Sequence, residues 1–149
     1  MRNTLCKISA IIFLCCGHFG LHAEAQSAGE TKKAISVELK TQTLTATENG
    51  KKIFTFECST GKNNGTPAGI WPIKEKVRYN ISLPEYGSVP IPFSLRLNID
   101  YKGNHPRIAI HAHQNVPRVP ASHGCIRVKP KDAEALFAWA CVGTLVTIH

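Results

Sequence analysis

Ile110-His111-Ala112, followed after a short loop by Ala121-Ser122-His123-Gly124-Cys125-Ile126-Arg127-Val128, is the stretch from which the rest of the chain is read. Aliphatic residues bracket it: Ile108-Ala109-Ile110 before the first histidine, Ile126 and Val128 after the cysteine. Short β-branched runs of this kind suit buried strands. Between them lies a polar turn in which Gly124 lets the backbone bend. The first strand end delivers His111, and the turn into the second delivers Ser122, His123, Cys125 and Arg127.

Outward from this segment the texture is short strands and turns. Upstream, Val37 and Leu39 alternate with polar residues, as do Leu44 and Ala46. Asn49-Gly50 is a hairpin signal, because both central residues of a type I′ turn need positive φ. The return strand 52–58 places Phe54, Phe56 and Cys58 on one face. Residues 61–69 form a Gly-, Asn- and Pro-rich loop, 70–77 and 93–97 read as strands, and Pro84 to Pro92 is irregular. Downstream, only Lys131 to Ala140 reads as a helix: Pro130 suits its first turn, Asp132 and Glu134 its positive end, and Gly143 follows its stop. Leu136, Trp139 and Ala140 form its apolar face. Residues 144–148 close the chain as a strand. The expectation is one mainly β domain over 34–149, a curved sheet or β-sandwich-like body with one helix after the cysteine turn.

The chain has 149 residues, with 18 Lys+Arg against 10 Asp+Glu and a formal net charge of +8. A hydrophobic fraction of 43% is that of a foldable chain, not a disordered one. No run reaches the roughly 18 apolar residues of a membrane span, so no integral span is expected. Arg2 and Lys7, the apolar stretch from Ile8 to Cys16, and Ala23-Glu24-Ala25 read as a secretory signal over 1–25, with cleavage after Ala25. A buried N-terminal helix and a lipoprotein signal at Cys15 or Cys16 are the alternatives. Residues 26–33 read as a flexible lead-in. An exported basic domain is drawn to acidic lipid or an anionic wall polymer more than to nucleic acid. Beyond the signal, three cysteines remain, Cys58, Cys125 and Cys141, an odd number that leaves one thiol to be explained. A Cys58–Cys141 pair would leave Cys125 free, provided geometry allows it.

Three chemistries fit these residue types. Cys125 is a nucleophile if a base or positive charge from His111 or His123 favours its thiolate, and a tight Ser-His-Gly-Cys turn suggests an oxyanion site of backbone N–H groups. Alternatively His111, His113, His123 and Cys125 supply ligand types that zinc accepts, although the spacing matches no common zinc pattern. The third reading is structural, with solvated loop histidines and a cysteine packed as a small hydrophobe.

The order Ser122-His123-Gly124-Cys125-Ile126-Arg127, with Ile110-His111-Ala112 before it, resembles the signature of the L,D-transpeptidase catalytic domain, the YkuD-like family. Ser59-Thr60-Gly61 with Thr66-Pro67-Ala68-Gly69 is similar to the family's first loop, and Pro90-Ile91-Pro92-Phe93 with Arg96-Leu97 to a segment of one branch. The likeness covers residues 34 to 148.

The resemblance implies that Cys125 is the acylated nucleophile and His111 its general base, with the Ala112 carbonyl orienting the imidazole. Backbone N–H groups of His123, Gly124 and Cys125 would form the oxyanion hole. Ser122 would stabilise the turn or touch substrate, and Arg127 would receive a peptide carboxylate or brace the turn. His113, where relatives often have glycine, would line the site. The implied donor is a peptidoglycan tetrapeptide stem that loses D-alanine. The acyl group would pass to a second stem in a 3-3 cross-link, or to a protein lysine, a D-amino acid or water, with no metal or cofactor. The loop from Ala112 to Ala121 is short for the family and offers little lid, which keeps a cysteine hydrolase in view beside the transferase. A non-catalytic wall-binding or zinc-binding domain is the remaining alternative. Periplasm or cell wall is the expected location.

Overall fold

In the computed structural model, residues 31–99 and 107–149 are described; the expected signal segment and the lead-in as far as residue 30 lie outside them. Strand β1 (Lys33–Glu38) runs antiparallel to β2 (Thr43–Glu48), with Ile35 opposite Ala46 and Val37 opposite Leu44. These four side chains are buried, so the alternation in sequence becomes one inward face. Asn49 and Gly50, at φ of 50° and 78°, turn the chain into β3 (Lys51–Ser59).

Next come β4 (Gly69–Val77), β5 (Ser94–Leu97), β6 (Ala109–Ala112), β7 (Ile126–Val128) and β8 (Leu145–Ile148). In space the order is β1-β2-β3-β7-β6-β5-β4-β8, and β8 pairs with β1 so that the sheet closes as a barrel. The curved sheet expected from sequence therefore returns on itself. Most neighbours are antiparallel; β6 and β7, which carry the quoted segment, are parallel, as are β1 and β8.

The single helix of the described residues longer than one turn, α1 (Pro130–Trp139), follows β7 directly and packs against β6 and β5. Ala133, Leu136 and the following Ala140 are its buried side chains. Trp139 is only half-buried; its indole N–H donates to Glu48 (2.9 Å) and its ring meets Phe54 edge-on. At the negative end of the helix, Lys33 and Lys76 donate to the carbonyls of Trp139 (2.8 Å) and Ala140 (2.5 Å).

Ile35, Leu44, Ile73, Leu95, Ile110, Ile126, Leu136 and Ile148 join strands and helix in one core. Each such side chain contributes about 1.5–3 kcal/mol on burial, which anchors β6 and β7 from beneath. Cys58 belongs to the same cluster, opposite Val128 of β7. It is a free thiol, and burial pushes it up to about 12. The pairing of Cys58 with Cys141 weighed from sequence is therefore not formed, and Cys58 is a packed hydrophobe without reactivity. Among the described residues no helix is long and apolar enough to cross a membrane.

Candidate active site

The parallel register sets Ile110 against Ile126, His111 against Arg127 and Ala112 against Val128. One step before Ile126, Cys125 falls beside Ala109. His111 lies two residues further along β6, on the same face by the two-residue period of a strand. The thiol sits between two backbone groups: Sγ donates to the Arg107 carbonyl at 3.7 Å, and the Ala109 N–H favours its thiolate. The His111 ring, 3% exposed, has Nδ1 2.8 Å from the Ala112 carbonyl. A carbonyl only accepts, so Nδ1 carries the proton and Nε2 is left with a lone pair.

Electrostatics make this pair neutral at rest. Burial is the main cause pushing Cys125 above its ordinary value, with the Ala109 N–H and Arg127 opposing it. Burial also pulls His111 down to about 4; the Ala112 carbonyl opposes this, while His113 and Arg127 add to it. The site holds a thiol beside an imidazole that cannot stay protonated at neutral pH, not a preformed thiolate–imidazolium pair.

The turn before Cys125 is tied from several directions. Ser122, buried, donates its hydroxyl to the Cys125 carbonyl (2.5 Å) and accepts the Gly124 N–H (3.0 Å). Gly124 is expected from the sequence among the oxyanion donors; in this structure its N–H donates to Ser122 Oγ. Among the described residues, the N–H groups of His123 and Cys125 are not engaged in loop hydrogen bonds. The Gly124 carbonyl accepts from Thr66 Oγ1 (2.7 Å), which in turn accepts the Gly61 N–H (2.7 Å). The chain at Thr60 accepts from the N–H groups of Ala121 and Ser122, and buried Gln42 bonds both the Thr60 N–H (2.8 Å) and its hydroxyl. At φ of 142°, Gly124 has no room for a side chain, since a Cβ would lie 2.8 Å from the Gly65 carbonyl oxygen.

Cys125 and His111 open into a cleft of about 510 Å³ that Ser122, His123, Gly124, Arg127 and His113 also line. Its opposite wall is an excursion between β4 and β5, residues 80–91, which includes one helical turn (Pro84–Tyr86). Tyr86 of this arm stacks on His123, with centroids 5.0 Å apart and planes 22° from parallel. The short Ala112–Ala121 loop is thus not the covering element; the arm supplies that wall. Arg96, at its root, is held by Glu75 (2.8 Å) and Asn80 (3.3 Å). Among the described residues no three His, Cys, Asp or Glu side chains gather as metal ligands. The His111 and His113 rings stand 6.3 Å apart and nearly perpendicular, while His123 lies on Tyr86.

Residues 32–148 match the model of the L,D-transpeptidase catalytic domain, YkuD. The chain belongs to this family. Solved L,D-transpeptidases superpose on it: one from Stackebrandtia nassauensis (27% identity, TM-score 0.66, covering 85% of this chain and 58% of that one), one from Mycobacterium smegmatis (18%, 0.68, 80% and 59%), and L,D-transpeptidase 3 from Mycobacterium tuberculosis in complex with a faropenem-derived adduct (16%, 0.68, 80% and 60%). The chain spans less than two thirds of the length of each. No curated protein matches it.

Within this L,D-transpeptidase domain, sequence reasoning brought together His111, His113, Ser122, His123, Cys125 and Arg127, and all six line the one cleft. It missed the Ala109 N–H, the Thr66 and Gln42 braces, and the arm. The arm did leave a signal: Ile81, Leu83, Tyr86 and Val89 are apolar residues in a stretch otherwise composed like a turn, and Ile81 is 63% exposed.

Proposed function

We propose that the chain acts as a peptidoglycan L,D-transpeptidase through an acyl-enzyme on Cys125. The observation that carries this is the His111 ring, tied through Nδ1 to the Ala112 carbonyl, which leaves Nε2 with a lone pair in a residue that lines the same cleft as Cys125. A neutral pair suits general-base attack: Nε2 takes the thiol proton as Sγ bonds to the carbonyl carbon. That carbonyl belongs to the third residue of a tetrapeptide stem. The developing oxyanion is met by the N–H groups of His123 and Cys125, each such donor worth about 2.7–4 kcal/mol in acyl transfer.

On collapse, His111 passes the proton to the departing D-alanine nitrogen and is neutral again. Arg127 receives a stem carboxylate in this reading, which its position across from His111 in the register and in the cleft lining supports. The acyl group then moves to an amine of a second stem, giving a 3-3 cross-link, or to another acceptor. Export to the wall belongs to the same reading. The signal-like N-terminus and the net charge of +8 support it, since a basic surface favours an anionic polymer.

Mass spectrometry of products from purified disaccharide-tetrapeptides tests the proposal, with Cys125→Ala as control. Wild type should release D-alanine and form a cross-linked dimer, and faropenem should add covalently to it; the variant should do neither. Release of D-alanine without a dimer, whatever amine is supplied, would make it a hydrolase. Unchanged substrate and no adduct on wild type would overturn the acyl-enzyme altogether.

A further inference from the structure

An alkylamine acceptor reaches the site as an ammonium ion at neutral pH, since such amines titrate at about 10.4. To become an amide nitrogen it must lose two protons. Forming the N–C bond and breaking the C–S bond returns one of them to Sγ through His111. The other has to leave the site. His111 is poorly suited to carry it away, because it is buried, its Nδ1 is committed to Ala112, and burial holds it at about 4.

We propose that His113 is that second base, taking the extra proton of an acceptor that arrives as a primary ammonium ion; this rests on the transpeptidase reading above. Its ring lines the same cleft, 6.3 Å from the His111 ring, and is half-buried, in contact with both the site and solvent. It repeats the anchoring of His111: Nδ1 lies 2.9 Å from the Asn115 carbonyl, as His111 Nδ1 lies 2.8 Å from that of Ala112. The Asn115 N–H is 3.0 Å from the same nitrogen, so the ring is held through Nδ1 in either tautomer. In the tautomer that donates to the carbonyl, Nε2 of this cleft-lining ring carries the lone pair. Among the described residues that line the cleft Glu85 is the one acidic side chain, against Arg96, Arg107 and Arg127, so an incoming ammonium meets a wall that favours loss of its proton.

The steps balance. His113 Nε2 takes the first proton from the ammonium, and the free amine attacks the thioester. His111 Nε2 takes the second proton from the tetrahedral intermediate and gives it to the departing Sγ. His113 then releases its proton to water. One ammonium and one thioester become one amide, one thiol and one free proton.

Hydroxylamine separates this role from a structural one, because it is already a free amine at neutral pH and brings one proton fewer. With a tetrapeptide donor, wild type and His113→Gln are compared for transfer to Nα-acetyl-lysine amide and to hydroxylamine. The expected result is a loss for the lysine acceptor at least about tenfold greater than the loss for hydroxylamine, the lower range of general-base effects being larger still. Equal losses would mean that His113 only shapes the site, and no loss with either that it is a bystander; both overturn the proposal while leaving Cys125 chemistry intact. A wild-type protein that transfers to neither acceptor would overturn both this inference and the reading beneath it.

Discussion

The two walls of the cleft are built by opposite means. On the wall of β6, β7 and the cysteine turn, the polar groups are tied to distant parts of the chain: Thr66 to Gly124, Gln42 to Thr60, Thr60 to Ala121 and Ser122. On the arm the bonds run within the excursion itself, from the Ser82 N–H to Val89, Ile91 to Asn80 and Gly87 to Pro84. The first wall is mostly sealed; the second leaves Ile81, Tyr86 and Val89 exposed. Reacting atoms have to be held to a fraction of an ångström, and here the local bonds of His111 to Ala112 and of Ser122 to Gly124 and Cys125 are themselves braced by bonds to distant parts of the chain. A wall that receives a large substrate needs apolar surface instead, and local bonds suffice for it.

The sharpest way to break this contrast is Gly124→Ala. The new Cβ would meet the Gly65 carbonyl oxygen at 2.8 Å, and alanine disfavours a φ of 142°. Strain and overpacking together are expected to cost about 3–5 kcal/mol. Denaturant melts should show that loss, and faropenem labelling of whatever remains folded should fall below detection. A melt within error of wild type would mean that the turn relaxes freely and the wall is not rigid.

How far the sequence discloses these walls follows from the same physics. The alternation at Ile35, Val37, Leu44 and Ala46, the Asn49-Gly50 turn and the helix after Pro130 are local signals, and each appears where its pattern puts it. Barrel closure depends on β8 pairing with β1 and β4, partners far away in sequence, so no window of residues reports it. The gathering of His111 and Cys125 is legible because their motifs are short and specific. The role of Gly124 as an oxyanion donor is not, since the direction of one N–H depends on the Ser122 rotamer. Thr66 and Gln42 act through space on groups 58 and 18 residues away, and nothing in their own neighbourhoods marks them.

Acid sharpens the contrast from the rigid side. His111 is held at about 4, below the ordinary histidine value of 6.5. Its folded pKa is depressed, so the unfolded chain binds the proton more tightly. The stabilising contribution is complete above about pH 6.5 and is lost as pH falls towards 4, roughly 3 kcal/mol in all. Wild type should therefore lose stability across that window, and His111→Gln should show a shallower slope. The rate of acylation should stay level through neutral pH and fall only near pH 4, where the imidazole is occupied. A rate that instead fell away around pH 6.5 would show that His111 titrates as if exposed.

Tyr86→Ala probes the other wall and has the smallest expected effect. The side chain is exposed and its stack on His123 is a surface contact, so melting should shift by no more than about 0.5 kcal/mol. That same difference of about 0.5 kcal/mol corresponds to a loss of roughly twofold in the second-order rate of faropenem acylation if the arm orients the turn or the ligand. The loss should appear in binding and not in the maximal rate, because Cys125, His111 and the braces of Thr66 and Gln42 are untouched. A Tyr86→Ala protein as destabilised as Gly124→Ala would show that the arm is part of the barrel's frame. An unchanged rate would show that the tyrosine merely rests on the histidine.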